Sequence, residues 1–317
     1  MTPSKNDQPS PFVQDVIQAF DKVNGGPHPG MRPAHAKGIL LAGTFTPAPA
    51  AAALTRAPHL HRESTPVTVR FSDFAGVPTV PDNDPNASPR GFAVRFHLGE
   101  HVHTDVIGHS VNGFPARTAE EFADFLRAAG ASGPGAPKPS PIEVFLGTHP
   151  AALRFIQAPK PIPTSFAKES FFPVNAYKFT NQSGVIQFGR YRIRPDGDGE
   201  YLDAAAAAAM PANFLFDEIK DRLAQAPVKL HIAVQLAAPG DIVDDSTIQW
   251  SENRPQVEFG TIQLTGVIAN NDAEQRHIIF DPIPRVDGID PSGDPLLQAR
   301  ADVYLATGRR RRTAVAN

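Results

Sequence analysis

The chain has 317 residues, 41% of them hydrophobic and 20% charged, with a formal net charge of −3. That balance fits a folded globular protein with loop-rich stretches and gives no general basic field for nucleic acid, the arginines of 309–312 being a short local run. The absence of cysteine excludes disulfides, thiol catalysis and thiolate-held metals or clusters.

The N-terminus, MTPSKNDQPSPFVQ, has no long apolar core and does not read as a secretory signal, and no stretch approaches the ~20 apolar residues of a membrane helix. The cytoplasm is the expected compartment. Residues 11–24 place Phe12, Val16, Ile17 and Phe20 on one stripe and stop at Gly25-Gly26, which predicts a short amphipathic helix. TPVTVRFSDF and RGFAVRFHL then alternate as strands do, around the turn-forming stretch PTVPDNDPNASP, so an antiparallel pair is expected. Thr118 with Glu121 is a capping-box signature, and Phe122, Phe125 and Leu126 give the helix behind it an apolar stripe. The segment 133–142 reads as a covering loop, 149–157 as a second helix and 204–209 as a helix or spacer. NAYKFTN, GVIQFGRYRIRP, VKLHIAVQLA and VEFGTIQLTGV are further strands, with a helical piece around 216–225. Two groups of strands with helices between them predict one α+β domain built round an antiparallel sheet or barrel. Neither a dinucleotide fingerprint nor a Walker lysine is present.

The last helix is predicted from Asp294 as N-cap and Pro295 in the first turn. Arg300 and Tyr304, four apart, share one of its faces. Such a pair is open to two readings: a buried tyrosine beside an arginine that pairs with an acid, or a phenol whose ionised form the guanidinium favours. A phenolate is an attested haem ligand. The second reading calls for an imidazole base on the other side of the iron, and MRPAHAKG offers His35. Arg32, Arg70 and Arg309 or Arg311 are candidates to pair with carboxylates at a partly buried site.

Several motifs in order, RPAHAKG (32–38), VRFS (69–72), RGFAVRF (90–96) and LLQAR…Y (296–304), resemble those of the haem catalases, in particular the short catalase-related peroxidases, over residues 28–312. The resemblance implies an α+β fold with an antiparallel β-barrel core, surrounding helices, and haem b (iron protoporphyrin IX) between the barrel and the C-terminal helix. It implies His35 as the distal histidine oriented by Ser72, and Arg32, Arg70 and Arg311 as propionate contacts. It also implies Tyr304 as the iron ligand with Arg300 as its charge partner, and Phe114 and Phe122 as aromatic lining of the distal side. Residues 1–27 are then an N-terminal helix and arm, and 28–317 a single catalase-like haem domain.

One departure stands out. Where the family carries a distal asparagine, this chain reads DVIGHSVNGFP, so His109 occupies the matching position and Asn112 follows three residues later; either could fill the role. The long arm and extra C-terminal domain of larger catalases are also missing, which implies a monomer or homodimer and a wider entrance. The expected function is a haem peroxidase that reduces hydrogen peroxide or alkyl hydroperoxides with an organic reductant and keeps at most weak catalase activity. The alternatives are a hydroperoxide lyase or isomerase and a haem-binding protein without turnover.

Overall fold

A computed structural model describes residues 9–314. The reading of residues 1–8 as part of an arm without a secretory signal lies outside them. In chain order the strands are β1 (Gly38–Pro47), β2 (Thr65–Ser72), β3 (Gly91–Gly99), β4 (Val102–His109), β5 (Ile162–Pro163), β6 (Tyr177–Thr180), β7 (Ile186–Pro195), β8 (Tyr201–Leu202), β9 (Val228–Leu236), β10 (Gln256–Val267) and β11 (Ile289–Pro291). The helices are α1 (Pro11–Val23), α2 (Ala51–Leu54), α3 (Ala119–Gly130), α4 (Pro141–Thr148), α5 (Pro150–Gln157), α6 (Ala204–Ala208), α7 (Phe214–Gln225), α8 (Asn271–His277) and α9 (Pro295–Thr313).

Nine strands form one sheet in the order β11-β6-β7-β9-β10-β1-β2-β3-β4, and its pairings are antiparallel. The sheet curls until its two sides meet. Phe172 bridges His109 at the end of β4, and Phe171 bridges Ile193 in β7, so this short segment closes a barrel.

Strand periodicity sorts the side chains. Val67, Val69 and Phe71 of β2 and Phe92, Val94 and Phe96 of β3 point inward, joining Phe45, Phe179, Ile232, Val234 and Phe259 in the barrel core. Alternation sends Arg70, Ser72, Gly91 and Ala93 to the outer face, yet Arg70 and Ser72 are buried. They are covered by the loop that carries His35 and Ala36 and, for Arg70, by Gln275 of α8; a second apolar cluster, formed by Val13, Val16 and Ala19 of α1, Ala123, Phe125 and Leu126 of α3, Ala152 of α5 and Val303 of α9, lies outside the barrel.

Most expected elements fall where periodicity put them. The loop expected to run through 142 instead ends at Ser140, which caps α4 in a complete capping box with Glu143. β1, β4 and α8 have no counterpart among the expected elements: β1 opens on the unalternating run Ile39-Leu40-Leu41-Ala42, the alternation of β4 is interrupted by Thr104, Asp105 and Gly108, and α8 has few apolar residues. Among the described residues no helix is long and apolar enough to cross a membrane.

Candidate active site

Cross-strand register sets the site's sheet wall. Gly38 pairs with Ser72, Ser72 with Gly91, and Gly91 with His109, so these four residues form one row across β1 to β4. The next row on the same face holds Leu40, Arg70, Ala93 and Ile107. Ser72, Arg70, Gly91, Ala93, Ile107 and His109 border a large cleft, about 1580 Å³ with its open mouth included, whose opposite walls come from α1, α3 and α9.

His35, in the loop before β1, lays its ring on this row. Its backbone has φ of 57°, in the left-handed region that a side chain with a Cβ seldom adopts. The conformation is fixed by surrounding contacts: His35 N donates to Phe74 O (2.8 Å), Ala36 N to Ala75 O (3.0 Å), and the Arg70 guanidinium donates to His35 O (2.9 Å). The ring packs edge-on against Phe74, with centroids 5.5 Å apart, and its Nδ1 lies 3.1 Å from Ser72 Oγ. Gly91 makes the seat, since a Cβ there would come within 2.5 Å of His35 Nδ1. Burial, reinforced by the nearby Arg70 charge, holds the imidazole down at about 3, so it is neutral across the physiological range.

On the facing wall α9 carries Arg300 and Tyr304 one turn apart, as their spacing predicts. An Arg300 nitrogen donates to Tyr304 Oη at 3.3 Å, and the other terminal nitrogen donates to Asn175 Oδ1. Asn175 Nδ2 donates in turn to Asp294 Oδ2 (2.8 Å), while Asp294 Oδ1 caps the helix by accepting from Leu296 N (2.9 Å). One carboxylate thus starts the helix and ends a chain of hydrogen bonds that aims Arg300 at the phenol. Burial opposes the charge on Arg300, but Tyr304, Tyr177 and Asp294 outweigh it and raise its pKa.

Arg32, Arg70 and Arg311 gather along the cleft. Arg70 Nε meets Gln275 Oε1 at 3.0 Å, whereas Arg32 and Arg311 both donate to the Ile278 carbonyl, at 3.1 and 2.6 Å. None of the three has a carboxylate within ion-pair distance among the described residues. Burial, aided by mutual repulsion, lowers Arg70 to about 9 and takes Arg32 well below its ordinary value; burial with Arg312 lowers Arg311 to about 10. Such a cluster is a site for anions.

His109 lines the cleft between Phe114, stacked at 6.4 Å, and Phe155, edge-on at 6.0 Å. Phe122 lies 5.1 Å from Phe114 on the same wall. Asn112 does not join them. Its Nδ2 donates to Glu252 Oε1 at 3.2 Å and its carbonyl accepts from Gln249, so it is turned to the 249–252 loop. Ten of the other candidates from the sequence border the cleft, and Arg309, offered there as the alternative to Arg311, is exposed and does not. The reading overlooked Asn175, Gln275 and Gly91. Asn175 and Gln275 are single amides far in sequence from the arginines they hold, and only the row through Ser72 and His109 makes Gly91 special.

A curled antiparallel barrel with helices outside it, a seated imidazole and a tyrosine–arginine pair on opposing walls of an apolar cleft, and arginines without acids together define a haem-binding oxidoreductase fold. The Catalase family model matches residues 27–317, and the chain belongs to that family; membership carries haem binding with it. The chain is 36% identical over 299 residues to a catalase-related peroxidase of Mycolicibacterium paratuberculosis, covering 92% of each protein. It is 34% identical over 301 residues to a catalase-related peroxidase of Synechococcus elongatus, covering 93% of this chain and 88% of that one. The solved structure of catalase A from Saccharomyces cerevisiae shares the fold, with a TM-score of 0.79 and 20% identity, over 89% of this chain and 61% of that one. The chain thus spans about three fifths of that catalase.

The residues present fit a haem. Unpaired guanidinium groups suit propionates, the aromatic walls suit a flat apolar ring, and a phenol oxygen held by an arginine suits ferric iron.

Proposed function

We propose that this catalase-family oxidoreductase binds haem b and reduces hydrogen peroxide and organic hydroperoxides to water and alcohols, drawing two electrons from organic donors, with weak dismutation of hydrogen peroxide alongside. Tyr304 Oη would hold the iron and Arg300 would keep that oxygen supplied with a hydrogen-bond donor. Arg32, Arg70 and Arg311 would pair with the propionates, and their number is the reason for choosing a dicarboxylate porphyrin. When bound, the haem would supply the metal at which the peroxide O–O bond breaks and would hold the two oxidising equivalents that the electrons from the donors then discharge.

The observation that carries the reading is the seating of His35. His35 Nδ1 lies 3.1 Å from Ser72 Oγ and burial keeps the ring neutral; in the tautomer this reading assigns, Nδ1 donates to Ser72 and the Nε2 lone pair stays free. Nε2 takes the proton from one peroxide oxygen and returns it to the departing oxygen, which leaves as water or alcohol. Arg70 fixes the His35 carbonyl and Gly91 fixes the ring plane, so the base needs no reorganisation. The phenylalanine lining, with Phe12, Phe20, Phe114, Phe122 and Phe155 at the cleft, favours organic peroxides and donors.

Stopped-flow mixing of the haem-loaded protein with hydrogen peroxide and with an alkyl hydroperoxide tests this. His35→Ala is expected to keep haem and to react ~10²-fold or more slowly. Near-parent rates in a fully loaded His35→Ala protein would remove His35 from the mechanism. Rearranged products from a fatty-acid hydroperoxide, formed without consumption of a phenolic donor, would replace the peroxidase reading with an isomerase.

A further inference from the structure

His109 carries a polar atom that nothing among the described residues uses. Its Nε2 is buried without a hydrogen-bond partner, although an unmet buried polar group is costly. The other nitrogen is accounted for: Val111 N donates to His109 Nδ1 at 3.3 Å. A backbone N–H can only donate, so Nδ1 bears the lone pair. The ring is also neutral at physiological pH, since burial and then the Arg300 charge hold it down at about 4. A neutral imidazole with a lone pair on Nδ1 has its hydrogen on Nε2. The row Ser72–Gly91–His109 puts this ring next to the glycine on which His35 rests, one strand spacing away, about 4.8 Å.

We infer that His109 presents a fixed Nε2–H donor to the cleft and that this donor, not Asn112, holds the bound peroxide beside the His35 base. The inference rests on the peroxidase reading above. It gives the two imidazoles opposite tautomers: His35 with its hydrogen on Nδ1 and its lone pair facing the peroxide, His109 with its hydrogen on Nε2. A peroxide, which has both a proton to lose and oxygen lone pairs to be held, is complementary to that pair. Asn112 is already engaged by Glu252 and Gln249.

Two-bond ¹⁵N–¹H correlation on the full chain labelled at histidine, with and without diamagnetic zinc protoporphyrin, reads the tautomers directly at neutral pH. His109 is expected as the Nε2–H form in both samples; an Nδ1–H form or a cation overturns the inference. In haem-loaded protein His109→Leu should slow the reaction with peroxide about 10²-fold, as loss of one preorganised donor does, and His109→Gln, which restores an N–H donor, should recover part of that loss. Equal losses in the Leu and Gln variants, or a larger loss in Asn112→Ala than in His109→Leu, would refute the assignment. Failure of the peroxidase reading appears elsewhere, as an unaffected His35→Ala, so the two outcomes are separable.

Discussion

Replacing Asn175 with alanine tests whether the Tyr304–Arg300 pair is held by design or merely adjacent. Asn175 is 2% exposed and makes two side-chain hydrogen bonds, one accepted from the Arg300 cation and one donated to the Asp294 carboxylate. Hydrogen bonds to charged groups contribute ~1.5–3 kcal/mol each, and both charges would be left buried without that partner. The expected loss is therefore about 3–6 kcal/mol. For a chain of 317 residues an unfolding entropy of ~2.1 cal/mol/K per residue converts this to a fall in Tm of about 5–9 °C. Differential scanning calorimetry reads the fall, and absorbance titration with haem should show weaker loading, because Arg300 is no longer aimed at Tyr304 Oη. The coupling is the decisive quantity. With Arg300→Met already in place, adding Asn175→Ala should cost at least ~1.5 kcal/mol less than it does alone. Additive losses, or an Asn175→Ala protein that melts and loads haem like the parent, would show that Asn175 does not position Arg300.

Tyr304→Phe should lose haem or hold it with a different ferric spectrum, because the proposed site gives the iron no other tyrosine oxygen on that wall; an unchanged spectrum in a loaded variant rejects the ligand assignment. Gly91→Ala should displace the His35 ring, since the added Cβ would come within 2.5 Å of its Nδ1, slowing the peroxide reaction with little change in haem affinity. In the barrel core His59, 1% exposed among Phe45, Phe96 and Phe259, is held down at about 3 by burial. Its unfolded value is ~6.5, so the unfolded chain takes up the extra proton and this contribution, full above pH ~6.5, is lost as pH falls towards the folded value. The slope is ~1.4 kcal/mol per unit, about 2.7 kcal/mol by pH 4.5; urea unfolding of His59→Phe should show that slope removed, and parallel curves would refute it.

Local patterns made the core legible, and long-range register made the site. Phe71 and Phe92 declare themselves as inward-facing by alternation, and Asp294-Pro295 declares the start of α9. The same alternation puts Arg70 and Ser72 on the outer face but does not say that the His35 loop and Gln275 will cover them. His35 could be singled out by its motif; its left-handed backbone could not, because the Phe74 and Arg70 contacts that impose it come from another strand and its flanking loop. The position of His109 opposite an expected asparagine was readable, whereas the choice between it and Asn112 needed the 249–252 loop, which is more than a hundred residues away in sequence and takes Asn112 for itself.

The arginine cluster gives a prediction in which stability and binding move in opposite directions. Arg311 is 4% exposed and, among the described residues, its guanidinium donates to the carbonyls of Arg276 and Ile278, at 2.9 and 2.6 Å. Arg32 donates to the same Ile278 oxygen, so two cations share one neutral acceptor while Arg70 adds to the local charge. Desolvating a cation without an anion is unfavourable, and like charges in a poorly screened cleft make it more so. In the haem-free chain Arg311→Met removes one of these charges while keeping an apolar stem, so thermal stability should hold or rise; buried charges replaced by apolar residues of similar volume commonly gain ~1–4 kcal/mol. In the haem-loaded protein the same change removes a proposed propionate partner, and a lost charge-assisted pair should weaken haem binding by ~1.5–3 kcal/mol, or about 10- to 150-fold in Kd. Since a ligand stabilises the folded state in proportion to the logarithm of its saturation ratio, the rise in Tm on adding haem should be smaller in Arg311→Met than in the parent even as the haem-free Tm is not. Paired calorimetric scans with and without haem measure both terms. A variant that loses stability without haem, and gains as much from haem as the parent does, would mean that Arg311 is held in place to brace the Ile278 turn and not to receive an anion.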